Sequence, residues 1–248
     1  MIDIDTGASG DTAPVPAASP LPDADLRPGR ITLADVRADH TVQVALQYAD
    51  TVLGVMGYTE HGIRHGAMTG ELAEQILRAL AYPPREAELA GIAGFLHDVG
   101  NGINRHDHAH SGALLAWDIL QRLGVPVEEV VMVIAAIGNH DEGDGEVVNA
   151  ITAAVMIADK SDVGRSRVRN QDPATFDEHD RVNYAVTRTE LATDAAARTI
   201  RLRLTVDAGS SVAADYFELF LPRMLMSRRA ARFLGCEFQL HINEVRLL

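Results

Sequence analysis

From Ile31 onward apolar residues recur at intervals of three and four, with Val42, Ala45, Leu46, Ala49, Val52 and Leu53 on one helical face. The same spacing predicts helices over about 60–82, 84–97, 108–123, 126–138 and 146–163. The second and fourth open with Pro84 and Pro126, at a position where the missing N–H of proline removes no helical bond. After Arg169 the period drops to two. Ile200, Leu202, Leu204 and Val206 alternate with Thr199, Arg201, Arg203 and Thr205, the signature of a half-buried strand. The segment NYAVTRTEL before it pairs across ATDAAA as a hairpin, and CEFQLHINEV alternates again near the end. Between them DYFELFLPRMLMSRRAARFL reads as a helix that Pro222 breaks or kinks. The expectation is a mainly α chain: a helical bundle over 29–170, then a small C-terminal α+β domain of unknown role over 171–248. Residues 1–28, rich in Pro, Ala, Ser and Asp, bury too little apolar surface to order and are expected to be a disordered leader.

Composition narrows the function. With 248 residues and 47% apolar content the chain can build a real core. No apolar run approaches the roughly 20 residues of a bilayer span, and the acidic N-terminus has no basic flank ahead of an apolar stretch, so a cytoplasmic protein with no membrane partner is expected. A net charge of −13 speaks against general nucleic-acid backbone binding, so an anionic substrate needs a local positive centre. Cys236 is the one cysteine, which excludes an internal disulfide and a thiolate metal cage. It falls on the apolar side of its strand, as a buried structural thiol would. The exposed edges of a small sheet suggest a homodimer.

Histidine is the unusual residue: seven of the ten lie between His61 and His140. In GFLHDVGNG, His97 and Asp98 end an apolar helix, with His97 four residues after Ala93 and so at the edge of the stripe of Leu89, Ile92, Ala93 and Leu96. Asp159 follows Ile151 and Val155 at the same spacing, and an unpaired carboxylate on a buried stripe costs several kcal/mol. His61 and His65 are one helical turn apart. A divalent transition ion, one or two of Mn, Fe, Zn, Co or Ni, supplies the shared countercharge that such a set requires.

The order His65, His97-Asp98, His108 or His110, His140, Asp159 resembles the HD-domain superfamily of metal-dependent phosphohydrolases. The similar segments are HGAMTGELAEQIL, GFLHDVG, HAHSGALLAWDIL, IGNHDEGDG and AVMIADKSDV, which together span about 58–165. The resemblance implies an HD-type helical bundle in which His65, His97, Asp98 and Asp159 hold one metal. It further implies that Asp98 bridges to a second metal held by His108 or His110 and by His140, with His61 where some members carry an additional ligand. His108 is favoured over His110 because Gly112 follows four residues later. The Gly-Tyr-Pro signature of the cyclic-dinucleotide subgroup is replaced here by GDGEVV.

Lys160, the only lysine beside 21 arginines (22 less one), adjoins Asp159 and is a candidate to meet a phosphate, with Arg64 a second. Arg165, Arg167 and Arg169 form either a phosphate-facing rim or salt bridges of an acidic protein. His40, His179 and His241 read as surface or satisfied residues. The expected activity is hydrolysis of a small phosphorylated molecule, a nucleotide or cyclic nucleotide, by metal-activated water, with Asp98, Lys160 and Arg64 as catalytic candidates. Its rivals are a di-iron oxygenase of the same superfamily and a non-catalytic metal-stabilised sensory module. The surplus of histidines beyond four ligands weighs against the latter.

Overall fold

The computed structural model describes residues 30–207 and 212–248, and the leader expected over 1–28 lies outside the described residues. Thr32 and Asp35 close a capping box on α1 (Leu33–Ala38). The chain then breaks at Asp39, which ends α1 and caps α2 (His40–Val55) through its side chain on the Val42 amide at 3.0 Å. The long periodic stretch from Ile31 is therefore two helices, because Asp39 offers the backbone a local partner that a continuous helix would forgo.

Four more helices follow close to their expected positions: α3 (Ile63–Ala79), α4 (Pro84–Leu96), α5 (His108–Leu123) and α6 (Val127–Gly138). The next, α7 (Ala150–Lys160), is capped by Asn149 on the Thr152 amide at 2.7 Å. Every residue of α4 from Leu89 to Leu96 is buried, and so is all of α7 except Asp159, which is half-buried. These are the central helices, apolar all round rather than on one stripe.

Small residues let α3 and α4 approach closely. A Cβ on Gly70 would stand 2.6 Å from the Gly91 carbonyl oxygen, and one on Gly94 would stand 2.9 Å from the Gly70 Cα. That contact draws the start of α3, with His65, toward the end of α4, with His97.

The C-terminal part adds α8 (Glu178–Ala185), a helix the alternation of NYAVTRTEL concealed; the strand β1 begins only at its end and runs Val186–Asp194. It pairs antiparallel with β2 (Thr199–Val206), as the hairpin reading expects, and Ile200, Leu202 and Leu204 are buried. Helix α9 (Val212–Phe233) then crosses over to β3 (Glu237–Ile242), which runs parallel to β2, and β4 (Val245–Arg246) closes the order β1-β2-β3-β4. Pro222 sits inside α9 without ending it. Cys236 is buried and free, just ahead of β3. Helix α9 packs on α7 and on β3, and one hydrophobic cluster runs from Leu33 in α1 to Ile242 in β3. Among the described residues no helix is long and apolar enough to cross a membrane.

Candidate metal centre

Six side chains converge from helix ends. His65 comes from the first turn of α3, His97 and Asp98 from the end of α4, His108 from the start of α5, His140 from just beyond α6, and Asp159 from the last turn of α7. All are buried but Asp159, which is half-buried. A tight 3-10 turn, Val99–Gly102, follows Asp98 and lies against α5: a Cβ on Gly100 would fall 2.0 Å from the His108 carbonyl oxygen. Glycine is required there, and it holds His108 near the His97-Asp98 pair.

The donor atoms crowd one another. His65 Nε2 lies 3.1 Å from His97 Nε2, 3.2 Å from Asp159 Oδ1 and 3.6 Å from Asp98 Oδ2. His97 Nε2 is 3.3 Å from Asp98 Oδ2 and 3.6 Å from Asp159 Oδ1. Alongside, His108 Nε2 faces His140 Nε2 at 3.1 Å and Asp98 Oδ1 at 3.5 Å. Asp98 thus turns one oxygen to each group.

The outer nitrogens fix the tautomers. His97 Nδ1 donates to the Gly94 carbonyl at 2.7 Å, His108 Nδ1 to Arg105 at 3.0 Å and His140 Nδ1 to Ile137 at 2.6 Å. His65 Nδ1 donates to Asp162 Oδ2 at 2.6 Å. With a proton on Nδ1, each ring turns Nε2 inward, where it presents a lone pair to a metal whenever it carries no second proton. Asp98 Oδ2 is buried with no hydrogen-bond partner. Acceptors facing acceptors at 3.1–3.6 Å repel unless a cation lies among them, and an imidazole and carboxylate donor set suits a divalent transition ion.

The electrostatics agree. Burial opposes charge on Asp98 and Asp159, yet the imidazoles around Asp98, and Lys160 with His65 and His97 around Asp159, hold both carboxyls well below the usual range. His97 is pushed up to about 10 because Asp98 and Asp159 outweigh its burial, while burial and the neighbouring His97, His108 and Lys160 push His140 well down. The negative field is concentrated around His97, between Asp98 and Asp159, and does not extend to His140.

Four expected site residues are not brought into this set. His61 precedes α3, donates from Nδ1 to Thr59 at 2.7 Å and accepts Arg167 Nη2 on Nε2 at 2.8 Å, so neither nitrogen is free to ligate. His110 points outward on α5, exposed, 4.0 Å from Asp144, because only one of two residues two positions apart can face the core. Arg64 is engaged by Glu60 Oε2 at 2.5 Å and Asp162 Oδ2 at 2.9 Å rather than open to a phosphate. Lys160 is buried behind the site, 2.5 Å from Asp159 Oδ2 and 3.3 Å from Glu142 Oε1. Of the arginines at 165, 167 and 169, Arg165 stacks on Tyr184, Arg169 pairs with Asp50 and Arg167 is buried on Asp162, so all three are internal partners rather than a rim.

The sequence pattern singles out none of Asp162, Asn101 and Arg105 as parts of the site, and it marks Arg167 only as one of a basic stretch. Asp162 takes His65, Arg64 and Arg167 at once, and Asn101 donates from Nδ2 to Asp98 Oδ1 at 2.7 Å. One signal was legible for Asp162, which lies three residues after Asp159 and therefore on the same side of the helix end. Arg105 lines a cleft of about 600 Å³ together with Met56, Tyr58, His106 and Asp141 among others, and of the six converging side chains His108 lines it too.

A helical bundle that gathers histidines and aspartates from its helix ends in this way has a donor set compatible with a divalent metal. Residues 60–164 match the family model described as HD domain, the family whose order of histidines and aspartates this stretch resembles. No curated protein matches the chain.

Proposed function

We propose that the protein hydrolyses a phosphoester of a small phosphorylated molecule, a nucleotide or cyclic nucleotide, at a divalent metal held by His65, His97, Asp98 and Asp159. The observation that carries this reading is the meeting of His65 Nε2, His97 Nε2, Asp159 Oδ1 and the partnerless Asp98 Oδ2 within 3.6 Å of His65 or of each other. A metal bound there lowers the pKa of a water ligand toward neutrality and offsets charge on the phosphoryl oxygens. The protein's own part is positioning. Asp162 orients His65, the backbone carbonyls of Gly94 and Ile137 orient His97 and His140, and Lys160 fixes the far oxygen of Asp159.

The cleft supports a small substrate. Tyr58 and Met56 offer an apolar wall to a base, and Arg105 offers a cation to a phosphate. Asp107, Asp141 and Asp144 at the rim disfavour a long polyanion, as does the net charge of −13.

The test is elemental analysis of the purified protein together with a phosphate-release screen on nucleotides, cyclic nucleotides and simple phosphoesters. A stoichiometric transition ion and turnover that vanish together in Asp98→Asn and His65→Ala support the reading. Absence of any ion, turnover unaffected by these substitutions, or iron-dependent oxygen uptake with no phosphate release overturns it.

A further inference from the structure

The two donor groups are alike in residue type but differ in what points into them. Around His65, His97, Asp98 Oδ2 and Asp159 Oδ1 only imidazole nitrogens and carboxylate oxygens face one another, and Lys160 touches only the far oxygen of Asp159. Around His108 and His140 the protein supplies its own donors. Asn101 Nδ2 already bonds Asp98 Oδ1 at 2.7 Å. Arg105 Nη1 lies 3.3 Å from His108 Nε2 and 3.8 Å from Asp98 Oδ1.

Several contacts keep the guanidinium there. Nη1 donates to Asn101 Oδ1 at 3.3 Å, Nη2 is 4.0 Å from Asp141 Oδ1, and the guanidinium carbon lies 5.7 Å from the centre of the Tyr58 ring. The Arg105 carbonyl also takes the His108 Nδ1 proton at 3.0 Å, so backbone and side chain of one residue hold both nitrogens of that ring.

We propose that Arg105 is the resident cation of the His108/His140 group, so that the protein holds one divalent ion firmly and a second only if the guanidinium leaves. The proposal rests on reading the cluster as a metal centre. A guanidinium does not lose its proton in proteins, and it cannot share the His108 lone pair with a divalent ion, on grounds of both space and charge. Asp98 Oδ1, already bonded to Asn101, gains less from a second ion than the partnerless Oδ2 gains from the first. Seated at the cleft, Arg105 gives a bound phosphate the positive charge that a second ion would otherwise provide.

Dialysis against Mn(II), with bound ion counted by elemental analysis and read by electron paramagnetic resonance, tests this. Wild-type protein is expected to hold one ion per chain with an isolated six-line spectrum. Arg105→Gln is expected to hold two, with the spectrum of an exchange-coupled pair. A coupled pair in the wild type, or Arg105→Gln remaining at one ion, overturns the role of Arg105 and leaves the metal-centre reading standing. No ion in either protein overturns both. Should Arg105→Gln not fold, the wild-type count and spectrum still decide.

Discussion

Asp162 Oδ2 accepts the Nδ1 proton of His65 at 2.6 Å, from a side chain 97 residues further along the chain. The same carboxylate takes Arg167 Nη1 at 2.8 Å and Arg64 Nη2 at 2.9 Å, and these contacts hold it well below the usual carboxylate range despite its burial. Its negative charge and its bond to Nδ1 pin the ring so that Nε2 faces the centre.

Asp162→Ala should therefore weaken metal binding by about 10–100-fold, the usual effect of removing a partner that orients a ligating histidine. Asp162→Asn, which retains an acceptor oxygen, should lose less. Competition with a calibrated chelator measures both. Equal affinity in wild type and Asp162→Ala would contradict a positioning role.

Lys160 is buried against Asp159 and Glu142, and Arg223 Nε reaches the same Glu142 oxygen at 2.8 Å. Burial opposes ionisation of Glu142, but Lys160 and Arg223 outweigh it and bring the carboxyl to about 2. Lys160→Met leaves the half-buried carboxylates of Asp159 and Glu142 short of a buried counter-ion, which costs about 3–5 kcal/mol. Denaturant unfolding of the metal-free protein should show a loss of that order. A loss under about 1 kcal/mol would place the ammonium outside the buried network.

Much of this centre was legible before the fold was known, because metal ligands must be particular residue types and must reach one point. The order of His65, His97, Asp98, His108, His140 and Asp159 was legible through its resemblance to the HD-domain pattern, whereas helices expected over 60–82 and 146–163 set His65 and Asp159 further from a helix end than α3 and α7 do. Lys160 and Arg64 were legible as residues but not in direction: adjacency to a ligand does not say whether a long side chain turns toward solvent or back into the core. Arg105 and Asn101 lie in the irregular link between α4 and α5, where no period fixes which way a side chain points. In the C-terminal part the alternation of β2 and β3 was plain, whereas α8 is a short polar helix that rests on its Asp177 cap rather than on an apolar stripe.

Close packing of α3 on α4 sets the approach of His65 to His97. A Cβ at Gly70 would lie 2.6 Å from the Gly91 carbonyl oxygen and 3.3 Å from the Phe95 amide, both backbone atoms that cannot swing aside. Gly70→Ala should cost about 1–3 kcal/mol by forcing the helices apart, despite the higher helix propensity of alanine. It should also weaken metal binding. Thermal melting with and without added Mn(II) checks both, and an unchanged or raised Tm would refute the close-approach argument.

Glu86 lies in the first turn of α4, where the helix dipole favours a carboxylate, yet burial raises its pKa above the ordinary value. In the unfolded chain Glu86 loses its proton near pH 4.5, whereas in the folded protein it keeps the proton to higher pH. Below the unfolded value the two states are equally protonated and Glu86 costs nothing. As pH rises from there through the raised folded value, the unfolded state binds fewer protons and stability falls, then levels off once both states are ionised. Glu86→Gln removes this dependence. Its unfolding free energy should match that of wild type near pH 3.5 and exceed it at pH 7, with the gap opening between those values. Measurement across that range by urea unfolding decides the matter, since a glutamine variant less stable than wild type at pH 7 would mean that an ionised Glu86 stabilises the fold.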